Sequence, residues 1–396
     1  MKAVVLCAGE GLRLRPFTYS EPKVMIPIAN KPIVQYVVES LVKNKIRDIV
    51  MVVGYKKERI MSHFEDGKRF DANIEYVVQR KQLGTAHALA AAEDKVGDEF
   101  LVLPGDNIID SAALGDLLRE KRENSILITE SAEPSKYGVV VLENGRAKDI
   151  IEKPSERISN LISTGIYTLS RDIFRFTDEL AKEGRYDLTE ALQRSASERE
   201  VFGVFTSGMW ADAIYPWDLL DLNNLALGQT REKTAGTVEK NVVLKGSVSI
   251  GEDSIIRSGS YIVGPVVIGK GCDIGPNVCI YPSSSIGNNV SVQAFGVVEH
   301  SILMDDVSLG PSSHVARSVL GMGVRALSSL NVNVGDAVIK IEDEVHSVQK
   351  VGAHIGEDSQ FESGVVVSAG TLVGARCRVA ALKHLRGSIP NEGIVV

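Results

Sequence analysis

Two glycines and two cations within fifteen residues carry the first chemistry of this chain. They are Gly9, Gly11, Arg13 and Lys23, in the run Leu6-Cys7-Ala8-Gly9-Glu10-Gly11-Leu12-Arg13-Leu14-Arg15-Pro16 and the following Glu21-Pro22-Lys23. Glycines let backbone N–H groups come close to a phosphate, and a turn that aims those groups outward adds positive potential. Two cations just beyond the turn would then face one polyanion. The spacing is neither Gly-x-x-x-x-Gly-Lys-[Ser/Thr] nor Gly-x-Gly-x-x-Gly, which sets aside P-loop and dinucleotide readings. Polyphosphate binding is the expectation; the plain alternative is a strand-to-helix turn with solvated basic residues.

The elements that must position these residues alternate along the first part of the chain. Apolar strands are expected at 3–6, 49–53, 74–78, 100–103, 125–129 and 201–205, with amphipathic helices at 32–44, 57–64, 85–92 and 112–124. That rhythm predicts an α/β, Rossmann-like domain with a mostly parallel mixed sheet over about residues 1–228. Ligands of such sheets collect at the carboxyl ends of strands. The glycine turn satisfies that rule, and so does Pro104-Gly105-Asp106-Asn107, which ends an apolar strand in a carboxylate.

From about residue 238 the pattern changes. Apolar residues recur every six positions through Val238, Leu244, Ile250, Ile256, Ile262, Ile268, Ile274, Ile280 and Ile286, slip by one residue, and return at Ile355, Phe361, Val367, Val373 and Val379. No helix buries a period of six. A left-handed parallel β-helix of hexapeptide repeats does, with one inward residue on each side of a triangular coil. The polar stretch 229–237 reads as a linker, and the charged stretch 335–349 as a loop inserted between coils of the domain 238–396.

Composition narrows the classes. The chain has 396 residues and a formal net charge of −7, which disfavours an extended nucleic-acid surface. Cys7, Cys272, Cys279 and Cys377 lack metal-type spacing and read as reduced core residues. No stretch is long and apolar enough for a membrane span, so a soluble, cytoplasmic protein is expected.

On the motifs Leu6 to Pro16, Pro22-Lys23 through Pro27-Ile28, and Asn30-Lys31-Pro32-Ile33, the chain resembles the sugar-1-phosphate nucleotidyltransferases that carry a C-terminal left-handed β-helix. The similarity extends to the archaeal-type bifunctional nucleotidylyltransferase/acetyltransferases and long-form glucose-1-phosphate thymidylyltransferases. It implies transfer of a nucleotidyl group from UTP or dTTP to glucose-1-phosphate or N-acetylglucosamine-1-phosphate, with Mg2+ as cofactor. By the same resemblance Leu6, Ala8, Gly9, Gly11, Gln79, Gly84 and Thr85 would bind the nucleotide, with Gln79 reading the base. Arg13, Lys23 and Asp106 would be catalytic, and Asp106 and Asp212 would hold the metal. Gly138, Glu152, Lys153 and Thr164 would meet the sugar phosphate, while His87 reads as an ordinary helix histidine.

The β-helix of bifunctional relatives transfers acetyl groups with a Gly-His-x-x-Tyr motif. Here Pro311 takes the histidine place and His314 the tyrosine place, with Asn331 and Asn333 downstream. Assembly or regulation, through a homotrimer or higher homo-oligomer, is therefore expected of this domain in preference to acetyl transfer. Acetylation of an amino-sugar phosphate with acetyl-CoA, and a non-catalytic scaffold role, stand as the alternatives.

Overall fold

The computed structural model describes residues 1–396. Two compact units emerge, and they do not follow chain order: the first is Met1–Glu10 with Ile33–Ala211, the second Gly11–Pro32 with Asp212–Val396.

The first unit is built on a nine-stranded mixed sheet. Its strands are β1 (Lys2–Cys7), β2 (Asp48–Val53), β3 (Asn73–Val78), β4 (Glu99–Pro104), β5 (Ser125–Glu130), β6 (Gly138–Glu143), β7 (Arg146–Glu152), β8 (Leu161–Ser170) and β9 (Phe202–Phe205), in the order β3-β2-β1-β4-β8-β5-β9-β7-β6. The first four run parallel, as crossover helices require. The long strand β8 then enters antiparallel between β4 and β5, and this makes the sheet mixed. Parallel strands buried on both faces read as continuous apolar runs, and Ala3, Val4 and Val5 are fully buried.

The helices of this unit lie close to their expected places: α1 (Ile33–Lys43), α2 (Lys57–Phe64), α3 (Thr85–Ala90) and α4 (Ser111–Arg119). Helix α4 is shorter than its sequence pattern suggests. Asp110 caps it, its carboxylate accepting the Ala113 N–H at 2.8 Å, and the chain turns left-handed at Lys121. Strands β6 to β8 and two further helices, α5 (Ile173–Lys182) and α6 (Leu188–Glu198), complete the unit.

In the second unit, three parallel sheets of nine, nine and eight short strands stack as the sides of a left-handed β-helix. Ile250, Ile268, Ile286, Leu303, Leu320, Ile355 and Val373 sit in register along one side. All seven are buried in one continuous core. The tight stacking explains the repeat's glycines: a Cβ on Gly251 would stand 2.4 Å from the Gly269 carbonyl oxygen of the next coil. Buried hydroxyls inside the coil are satisfied by neighbouring backbone; Ser254 donates to the Gly269 carbonyl at 2.7 Å and accepts the Cys272 N–H at 2.9 Å.

The insertion near 335–349 is an antiparallel hairpin, Gly335–Ile341 paired with Glu344–Val351. One of its faces packs Ile339, Ile341 and Val351 around Tyr215, with Trp217 alongside, which gives its alternating apolar residues a core of their own. The segment Gly11–Pro32 is fastened to the β-helix. Buried Asn223 accepts the Ala29 N–H and the Ser285 hydroxyl, both at 2.9 Å, and donates to the Ser283 carbonyl at 3.1 Å. Asn30 donates to the Ile286 carbonyl, Ser20 bonds Glu357, and Arg376 donates to the Tyr19 hydroxyl at 2.9 Å. All four cysteines are free, with Cys7, Cys272 and Cys377 buried.

Candidate active site

In the first unit the glycine turn leaves β1 at its carboxyl end. The Ala8 carbonyl accepts the Tyr55 N–H at 3.1 Å, and the Leu6 carbonyl accepts the Gly105 N–H at 2.9 Å, so backbone just past both neighbouring strands holds the end of β1 and the start of the turn. A Cβ added to Gly9 would meet nothing within 4 Å. Packing within the chain therefore gives no reason for glycine there, and the open space over Gly9 is where a ligand can approach backbone.

Asp106 lies two residues beyond the end of β4. Its charge, together with burial, pushes the Cys7 thiol well above its ordinary range, the larger cause being burial, so Cys7 stays an inert thiol under the turn. The adjacent Asn107 buries an Oδ1 that has no hydrogen-bond partner. A carboxylate oxygen such as those of Asp106 suits a hard divalent cation. No group of three or more His, Cys, Asp or Glu side chains is built to hold a metal alone, so such an ion would take its remaining ligands from phosphate and water. Asp212, the other expected carboxylate, ends the strand Trp210–Asp212 and counts with the second unit.

Gln79 lies at the end of β3 and is 4% exposed. Its Nε2 is 3.1 Å from the Gly84 carbonyl oxygen and 2.9 Å from His87 Nδ1. Gly84 must be glycine: its φ is +157°, and a Cβ would stand 2.4 Å from the Tyr186 carbonyl oxygen. That same carbonyl accepts the Ala86 N–H at 2.8 Å, and the Thr85 hydroxyl accepts the Leu188 N–H at 2.8 Å. The start of α3 is thus clamped against the loop before α6.

A second cluster forms on the β6–β7 hairpin, where Gly138 pairs with Glu152. Lys153 Nζ is 3.2 Å from Glu152 Oε1, and the Thr189 hydroxyl donates to Glu152 Oε2 at 3.0 Å. Behind them the Tyr167 hydroxyl lies 3.0 Å from Ser163 Oγ, its acidity suppressed mainly by burial. Thr164 has a structural task, donating its hydroxyl to the Leu127 carbonyl at 2.8 Å. Gly138, Glu152 and Lys153 are therefore together, while Thr164 holds the wall of the sheet.

In the second unit Gly11 adopts φ +70°, and a Cβ there would stand 2.7 Å from Lys23 Cβ. The Gly11 carbonyl accepts the Thr18 hydroxyl at 2.8 Å and the Leu14 N–H at 3.0 Å, closing a single turn over Leu12–Leu14 that carries Arg13. Lys23 opens another such turn. Arg13 meets the β-helix hairpin: its Nη2 is 3.2 Å from Glu344 Oε1 and its Nε 4.0 Å from Glu342. Glu344 also accepts the Tyr215 hydroxyl, and its Oε2 is 3.3 Å from His346 Nε2. The Tyr215 hydrogen bond, then Arg13, hold the Glu344 carboxyl below its ordinary range, while burial, reinforced by Glu344, pushes the Tyr215 hydroxyl up to about 12.

Sequence reasoning did not link Thr189 to Glu152, His87 to Gln79, or this carboxylate to Arg13. The breaks in the hexapeptide period marked where Glu344 would lie, but nothing in the letters paired it with a residue 331 positions away.

Residues 2–227 match the family described as nucleotidyl transferase. The chain belongs to that family. Residues 262–351 match a second model, described as the GMPPB C-terminal domain. A relative named bifunctional protein GlmU from Methanococcus maripaludis is 34% identical over 96% of this chain and 94% of its own length. A bifunctional sugar-1-phosphate nucleotidylyltransferase/acetyltransferase from Sulfurisphaera tokodaii is 34% identical over 96% of each chain. Among solved structures, a UDP-glucose pyrophosphorylase complexed with UDP-glucose superposes with a TM-score of 0.52 at 27% identity, over 58% of this chain and 99% of its own. Nucleotidyl transferases of this kind generally use a divalent metal. No helix here is long and apolar enough to cross a membrane.

Proposed function

We propose that the protein joins a sugar 1-phosphate to a nucleotidyl group taken from UTP or dTTP, releasing pyrophosphate. The observation that carries this reading is the open, unexplained glycine at Gly9, at the end of a central parallel strand and next in space to the Asp106 strand end. Full-length similarity to sugar-1-phosphate nucleotidylyltransferases supports it.

The chemistry is one in-line displacement. An oxygen of the sugar 1-phosphate forms a bond to the α-phosphorus as the α–β bridging P–O bond breaks and pyrophosphate carries away the electron pair. The attacking oxygen is already anionic, so no general base is needed. Arg13 neutralises the leaving pyrophosphate and Lys23 the reacting phosphorus, while backbone N–H groups at Ala8 to Gly11 hold the triphosphate. Glu152 and Lys153 orient the sugar phosphate, with Thr189 fixing the carboxylate. Asp106, and by the family resemblance Asp212, would offer carboxylates to a divalent cation, which would supply charge neutralisation on the phosphate oxygens.

The β-helix unit is assigned to assembly or regulation, through a homotrimer or higher homo-oligomer. Acetyl transfer is the second reading, favoured by the register that sets His314 beside Asn331 on adjacent coils, both exposed. Chromatographic identification of the nucleotide sugar formed from UTP or dTTP with glucose-, N-acetylglucosamine- and galactosamine-1-phosphates tests the first reading; absence of any nucleotide sugar contradicts it. His314-dependent release of coenzyme A from acetyl-CoA and glucosamine-1-phosphate would establish the second.

A further inference from the structure

We propose that His87 is a positioning residue that fixes which edge of the Gln79 amide is offered to the base, so that the site accepts a ring with a protonated imino nitrogen. The inference rests on the reading of Gln79 as the base-reading side chain.

An amide presents a donor edge and an acceptor edge of nearly the same shape, and its environment decides which faces a ligand. At Gln79 that environment is complete on one side. The Gly84 carbonyl can only accept, so the atom 3.1 Å from it is the NH2 group. The second proton of that group points to His87 Nδ1 at 2.9 Å, which must therefore be bare, with the ring proton on Nε2. Both donors are consumed within the chain. Oε1 is the edge that remains.

An oxygen acceptor matches the N3–H of uracil or thymine and opposes the bare N3 of cytosine, a pyrimidine of the same size. Selectivity against cytosine thus follows from how the amide is held. His87 is itself held: its ring meets Tyr186 edge-on at 5.9 Å and 85°, and the Tyr186 carbonyl both accepts the Ala86 N–H and excludes any side chain at position 84. Losing His87 leaves Gly84 as the sole anchor, and the amide can turn an N–H toward the base.

The test compares kcat/KM for UTP, dTTP and CTP in the wild-type enzyme, H87F, H87N and Q79A, with folding checked by thermal melting. The wild type is expected to favour UTP and dTTP over CTP. In H87F the UTP-to-CTP ratio should fall about tenfold, the weight of one buried hydrogen bond; H87N, whose Oδ1 can replace Nδ1 as acceptor, should recover it. Should H87F melt early, H87L carries the same expectation. An H87F ratio within about twofold of wild type, with Q79A losing selectivity, would overturn the role of His87 while leaving that of Gln79 standing. A wild type that does not distinguish UTP from CTP would overturn the reading of Gln79 itself.

Discussion

Arg13 Nη2 lies 3.2 Å from Glu344 Oε1, so a cation of the N-terminal glycine segment is paired with a carboxylate of the hairpin inserted in the β-helix. Both side chains are about half exposed, at 41% and 48%, which makes the pair easy to exchange for a stronger anion. Tyr215 and His346 hold the carboxylate in place. On the proposed role of Arg13, an incoming triphosphate has to displace Glu344. Glu344→Gln removes the competing charge and should lower KM for the nucleotide about two- to fivefold with kcat unchanged, as fits a solvent-exposed pair. Steady-state kinetics at low salt measure this; a higher KM in the variant would mean that Glu344 presents Arg13 to the nucleotide.

Gly9 and Gly11 should respond differently to the same substitution. At Gly11 the positive φ and the 2.7 Å approach to Lys23 Cβ make alanine costly, by about 1–3 kcal/mol, and the melting temperature of Gly11→Ala should drop. At Gly9 an added methyl meets nothing within the chain. Gly9→Ala should keep the wild-type melting temperature and lose about tenfold or more in kcat/KM, because the methyl stands where phosphate must approach backbone. A Gly9→Ala enzyme with normal kinetics would remove the turn from the binding site.

Acid should weaken the second unit through His354. This residue is fully buried beside Phe17 and Trp217, and neither ring nitrogen makes a hydrogen bond of ordinary geometry. Burial pushes its pKa down to about 3, with the nearby Pro216 carbonyl opposing the shift only in part. A depressed folded-state value means that stability is complete above the unfolded value of about 6.5 and is lost progressively below it, by about 1.4 kcal/mol per pH unit for one proton. Melting curves between about pH 4 and 7.5 should show a shallower acid decline for His354→Leu than for the wild type. Parallel declines would assign the acid sensitivity to other groups.

Much of this was legible because period and burial coincide. The six-residue repeat is forced by coils that each side must fill, and Ile250 through Val373 stack as their spacing requires. Strand β1 reads as a core strand for the same reason. Strands β6 to β8 were missed for different reasons: Arg146–Glu152 is partly exposed with no continuous apolar run, the buried Leu161–Ser170 is interrupted by Ser163, Thr164 and Gly165, and Gly138–Glu143 offers only the short run Val139 to Leu142. At the site, Gly138, Glu152 and Lys153 fell together because they share one hairpin. His87 was passed over as a helix residue because its partner Gln79 lies outside the helix, where no helical spacing links them. Glu344 could not be matched to Arg13 from letters, because a surface ion pair leaves no pattern in either segment.

The measurement that bears most directly on the central claim follows nucleotide sugar and pyrophosphate together in wild-type and Lys23→Ala enzymes supplied with a divalent cation. Alanine keeps the Cβ that lies against Gly11, so the turn should stay folded. The wild type should release the two products one for one, and the variant should lose about 10² to 10³ in turnover at an unchanged melting temperature, the usual loss for one contact to developing charge. Near-normal turnover in a folded Lys23→Ala enzyme, or nucleotide hydrolysis without nucleotide sugar in the wild type, would contradict the account.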